Sequence, residues 1–198
     1  MTPAQIDAWL SELALAPDGR AERDGITSWD LLLDGARRHD IRVTLILDPS
    51  LALLCWVHYA PPITDSFRVS YRKFLRWNDE LPFVKFAVSI DERPVLTAEL
   101  PVASLDRDAL GMALARLVTV CDLLLDESLK WLFPGAKVAP TPKRASRHAA
   151  LLARYADRLG ELMTPIADPD PAVAHLDVAG AVLGESVAGE HGEGDQTP

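Results

Sequence analysis

The sequence predicts an α+β domain: an antiparallel sheet of about five strands with helices packed on it, in the order α-β-β-β-α-β-β-α, plus an appended C-terminal helix. Three observations carry this reading. Extended apolar runs follow one another from Ser28 to Tyr59 with only short turn-forming breaks, stretches with apolar residues at helical spacing lie before and after them, and Asp91-Glu92-Arg93 joins two further extended runs. Strands joined by short breaks pair antiparallel, because a parallel pair needs a long crossover connection.

The elements follow in order. Thr2-Pro3 supplies a cap and a first-turn proline, and Ile6, Trp9, Leu10 and Leu13 recur at helical spacing until Pro17-Asp18-Gly19 stops the helix. From Ser28, Trp29, Leu31 and Leu33 alternate with Asp30, Leu32 and Asp34, a strand that Gly35 ends, although WDLLL alone would also suit a short helix. Ile41, Val43, Leu45 and Leu47 alternate with Arg42, Thr44 and Ile46, and Asp48-Pro49 closes that strand. Leu51 to Tyr59 is apolar on both faces, which predicts a central strand covered on each side and ended by Ala60-Pro61-Pro62.

Thr64 or Asp65 can cap the next helix, in which Phe67, Tyr71, Phe74, Leu75 and Asn78 share a face. Pro82 forbids its continuation, so Phe83 to Ile90 is extended and pairs with Pro94 to Val102 as a hairpin across Asp91-Glu92-Arg93. Ser104 or Asp106 caps the longest helix, whose stripe of Leu110, Leu114, Leu117, Cys121 and Leu124 ends near Trp131 and Phe133, before Pro134-Gly135.

Residues 1–133 therefore read as the main domain and 134–143 as a Pro-rich basic linker, within PGAKVAPTPKRASRH, a stretch that holds Lys137, Lys143, Arg144 and Arg147 and no acid. Residues 144–164 form an amphipathic helix carrying Leu151, Leu152, Tyr155, Leu159 and Leu162. Residues 165–198 are acidic and lack aromatics, the composition of a disordered tail, with a loosely periodic short helix around Ala172 to Leu183 as the alternative.

The 198 residues suffice for one domain with a sizeable core. The net charge of -9 is concentrated in the tail, where seven acids stand beyond Ala167 with no Lys or Arg, leaving about -2 for the rest. A nearly neutral body exerts no global pull on nucleic acid or on an anionic membrane. Cys55 and Cys121 lie in apolar runs without CxxC spacing or a histidine cluster, so they read as buried free thiols in a reducing compartment, with no metal and no cofactor implied. The opening MTPAQIDAWLSEL has neither a basic region nor a continuous apolar core, and Pro49 to Pro62 is too short to span a bilayer. A cytoplasmic location without a membrane partner is the expectation.

The stretch YRKFLRWNDELPFVKFAVSIDERPVLTAELPV resembles the YbjN family, described as bacterial sensory transduction regulators, which shares its fold with type III secretion chaperones. The resemblance covers roughly Ile26 to Phe133 and rests on the helix ending in Asn78, the hairpin with an acidic turn at Asp91-Glu92, and the closing helix after Leu100-Pro101. It implies a small non-enzymatic domain that holds a protein client or partner, often as a homodimer, and it brings no catalytic residues with it.

Arg68, Arg72, Lys73 and Arg76 form a basic stripe opposite the aromatic one on their helix, a pattern of interleaved cations and aromatics that also suits single-stranded nucleic acid. The plainer reading puts Phe67, Tyr71 and Phe74 into the core and solvates or pairs the cations. Cys55 and His58 are three residues apart in a strand and so point to opposite faces, which disfavours a nucleophilic pair. Asp91 and Glu92 read as a solvated turn, and Gly19, Gly25, Gly35 and Gly111 are too isolated to cradle a phosphate. Trp29, Trp56, Trp77 and Trp131 are candidate surface anchors, with Trp77 at the edge of the aromatic stripe, while core packing is the plainer reading for any one of them. The expected role is a protein-binding module, chaperone-like or a regulatory adaptor, contacting its partner through Arg68, Arg72, Lys73, Arg76, Trp77 and Trp56. The alternatives are nucleic-acid binding through the basic stripe, or an enzyme whose site is assembled from scattered residues.

Overall fold

The computed structural model describes residues 1–62, 68–132 and 142–163. Helix α1 (Pro3–Glu12) opens with a capping box, in which Gln5 N–H donates to Thr2 Oγ1 and Thr2 N–H donates to Gln5 Oε1 at 2.9 Å. It ends before Pro17, at Leu13, where Ala14 turns the chain with a φ of 56°.

Next comes a strand absent from the sequence reading, β1 (Gly19–Arg23), paired with β2 (Ile26–Leu33). Asp24 and Gly25, with φ values of 53° and 79°, make the two-residue turn whose twist suits a hairpin. The dipeptide Asp24-Gly25 is a direct signal for it, masked here because GRAER lacks apolar alternation. The strands β3 (Ile41–Leu47), β4 (Ala52–His58), β5 (Lys85–Val88) and β6 (Pro94–Pro101) complete a six-stranded antiparallel sheet in the order β1-β2-β3-β4-β6-β5.

One face of this sheet is the core. Trp29, Leu31, Leu33, Val43, Leu45, Cys55, Val57, Leu96 and Ala98 are all buried there. The helices meet the sheet through this face: Trp29 Nε1 donates to Asp7 of α1 at 2.6 Å, and Phe86 packs on Phe74 and Trp77 of α2 (Arg68–Glu80). Tyr59 reaches Ser128 of α4 (Leu125–Leu132) by a hydroxyl–hydroxyl hydrogen bond. Strand β4 departs from expectation here. Its residues alternate between buried and half-buried, so it is central but covered on one side only.

The long helix is also divided. α3 (Arg107–Leu123) is capped by Asp106, which accepts from Ala109 N–H at 2.7 Å, and α4 starts after Leu124. The cap is thus Asp106, not Ser104. α5 (Ala149–Met163) buries Leu151, Tyr155 and Leu159, its i, i+4, i+8 stripe, and packs on α3. Tyr155 sits directly over Gly111, where any Cβ would collide with the phenol. The cap sought at Thr64 or Asp65, Phe67, Phe133, most of the linker and the whole tail fall outside the described residues.

Candidate functional site

The less covered face of the sheet presents a row across four strands, Ser28, Ile46, Leu54 and Glu99, and beside it Asp30, Thr44, Trp56, Thr97 and Lys85. Leu32, Ile46, Leu54 and Trp56 are half-buried; Ile46 and Leu54 are cross-strand partners with Trp56 next to them, while Leu32 lies opposite Arg42, beyond the Asp30–Thr44 pair. Asp30, Arg42, Glu99 and Lys85 are exposed around them, and Asp30 accepts from Thr44 Oγ1 at 2.7 Å. Val95, opposite His58, is the one residue of this face's β6 set that is fully buried. The result is a small apolar patch of Ile46, Leu54 and Trp56 among polar and charged neighbours.

Helix α2 supplies the other expected contacts, and here the structure rearranges them. Trp77 is 6% exposed and lies in a cluster with Phe74 and Phe86, which Tyr59 joins edge-on. Leu75, expected on the core face, is instead 69% exposed. The helix turns so that Phe74, Trp77 and Leu81 face inward at i, i+3 and i+7, because the Phe86 ring on β5 offers the larger indole a better contact. Lys73 pairs with Glu127 of α4 at 3.1 Å and Arg76 with Glu80 at 3.3 Å. Arg72 is exposed, and the side chain of Arg68 lies outside the described residues. Trp29 is buried on the core face, and of Trp131 only the backbone, within α4, is described.

A polar centre missed by the sequence reading lies at the end of β2. The Asp34 side chain is 0% exposed and accepts from Arg144 Nη1 and Nη2, from Arg147 Nε, Nη2 and backbone N–H, and from Asp40 N–H. Asp40 shares both guanidiniums at 2.8 and 2.9 Å. His148 Nδ1 accepts from Asp34 N–H at 3.0 Å, and Ser146 Oγ donates to the Asp34 carbonyl. Burial raises the Asp34 pKa, but hydrogen bonds from Arg144 and Arg147 outweigh it and hold the carboxyl far below the usual range. The acid-free basic stretch was the available clue, since it needs anions from elsewhere. The same loop is gripped from its other side by Asp122 of α3, which accepts from the N–H groups of Ala36, Arg37 and Arg38. Gly35 allows that approach, as a Cβ there would meet the carboxylate.

Cys55 and Cys121 are buried free thiols pushed up to about 12 by burial, and Cys55 faces the core while His58 is exposed. Among the described residues no three His, Cys, Asp or Glu side chains come together as a metal site, and no helix is long and apolar enough to cross a membrane.

Fold and site together define an open-faced α+β domain, an antiparallel sheet with helices on one face and the other face presented. The family model for YbjN, described as "Putative bacterial sensory transduction regulator", matches residues 2–129, and the chain belongs to that family. The matched span runs from α1 into α4, so it takes in β1 and leaves α5 outside. No curated protein matches the chain.

Proposed function

We propose that this chain is a non-enzymatic protein-binding module, a chaperone-like or regulatory adaptor that works as a homodimer and holds a protein partner on the open face of its sheet. One observation carries the reading. Ile46, Leu54 and Trp56 form a half-exposed apolar patch on the face opposite the helices, with Asp30, Arg42, Glu99 and Lys85 exposed on the same face. An apolar centre with a polar rim and a large aromatic is the composition of a protein interface. The family's description as a regulator of sensory transduction supports a regulatory or adaptor role. Nucleic-acid binding through α2 draws less support, because Lys73 and Arg76 are engaged by Glu127 and Glu80.

The test is a crosslinked pull-down from native lysate with the wild-type chain and with Ile46→Asp, alongside the mass in solution. A stoichiometric partner lost in the variant, and a dimeric mass, are expected. A monomer without a partner would overturn the reading.

A further inference from the structure

Arg116, on α3, is a half-buried cation without an anion. Its Nε is buried and has no hydrogen-bond partner, and among the described residues no carboxylate pairs with it. Burial and then the charge of Arg158 lower its pKa. On the same helix Asp108 is already engaged by Arg158 at 2.6 Å. Its guanidinium instead lies over the ring of Phe83, 4.7 Å from the centroid.

Phe83 is itself unusual. It follows Pro82 with a φ of 62°, a left-handed backbone that bulky side chains rarely adopt, and its side chain is 67% exposed. A strained turn thus holds an aromatic ring out in solvent, against a cation that lacks a counter-charge and feels a second cation. Leaving a desolvated cation unpaired is unfavourable, and a bound anion removes that cost.

We propose that Arg116 and Phe83 form an anion-recognition site for an acidic, apolar protein segment. A Glu or Asp carboxylate takes the guanidinium fork, and the adjoining apolar side chain covers the exposed part of the Phe83 ring. A protein segment fits better than a polyphosphate ligand, because the body of the chain is nearly neutral and offers no wide basic surface. The site uses none of the open-face residues, so it stands or falls independently of the reading above.

The experiment titrates the isotope-labelled full chain with the peptide acetyl-Ala-Leu-Glu-Leu-Glu-Ala-amide and its Glu→Gln analogue, following the Arg116 Nε–H resonance. The acidic peptide is expected to shift that resonance saturably and the analogue to leave it unmoved. Arg116→Met and Phe83→Ser should each weaken binding by about tenfold or more, the range for removing one partner of a charge-assisted contact. Without peptide, Arg116→Met should melt no lower than wild type, since an apolar side chain replaces an unpaired charge. Because Phe83 is mainly exposed, Phe83→Ser reports on binding even if Arg116→Met folds poorly. Equal binding of both peptides, no shift at millimolar peptide, or unchanged affinity in Phe83→Ser would overturn the proposal. A response to inorganic phosphate at lower concentration than to peptide would also overturn it, reassigning the site to phosphate ligands.

Discussion

The side chain of Asn78 stands in for a missing strand beside Phe86. Phe86 N–H donates to Asn78 Oδ1 at 2.5 Å, and Asn78 Nδ2 donates to the Phe86 carbonyl at 3.0 Å. β5 is the last strand of the sheet, and its outer backbone groups would otherwise be open to pairing with another chain. The WNDELP stretch therefore does three things: Trp77 fills the core, Asn78 closes an edge, and Leu81 is buried as the helix ends.

Replacing Asn78 by Ala removes both hydrogen bonds and should destabilise the fold by about 1–3 kcal/mol. Urea unfolding measures the loss, and light scattering should show stronger self-association through the opened edge. A loss below about 0.5 kcal/mol, the level of an ordinary surface change, would mean that the edge is closed by other means.

Asp34 makes a pH prediction. Its folded pKa is depressed, so its contribution to stability is present above the unfolded carboxylate value of about 3.9 and is lost as the pH falls below that. Asp34→Asn should therefore lower stability at neutral pH and flatten its decline between about pH 4 and pH 2. Because Arg144 and Arg147 are roughly half exposed, the loss should be about 1–3 kcal/mol, less than for a fully buried pair. An acid-unfolding curve parallel to wild type would refute the assignment.

Gly111→Ala drives a methyl into Tyr155 and should loosen α5, with a cost of about 1–3 kcal/mol for overpacking. Limited proteolysis should cut the variant within Ala149–Met163 sooner than wild type. Adding Tyr155→Leu should restore part of the resistance by vacating the collision.

Both thiols sit near pH 12 in the folded chain, so neither forms appreciable thiolate at neutral pH. Native protein should react with a thiol reagent at the rate of global unfolding, and denatured protein should titrate two groups at once. A fast single-site reaction under native conditions would contradict the burial of Cys55 and Cys121.

Much of the fold was legible because it is written in local periods. The alternation of Ile41, Val43, Leu45 and Leu47 places β3 within its true bounds, and the turn at Asp91-Glu92 yields the hairpin that Ser89 and Arg93 close. Where a period is degenerate, the reading failed. β1 is short and polar, so only its turn marks it. α2 carries Phe74, Leu75 and Trp77 within one turn, and its spacing alone leaves open which of them faces the sheet.

The α+β class, the element order save for β1 and the division of the long helix at Leu124, the free thiols and the family are all legible along the chain, because each depends on neighbours within a few residues. Which side of β4 is covered, the burial of Trp77 in place of Leu75, and the meeting of Arg144 with Asp34 110 residues away emerge when the layers assemble. Charges and rings so far apart in the chain choose partners by the free energy of burial and desolvation in the assembled layers, and that choice leaves no period in the sequence.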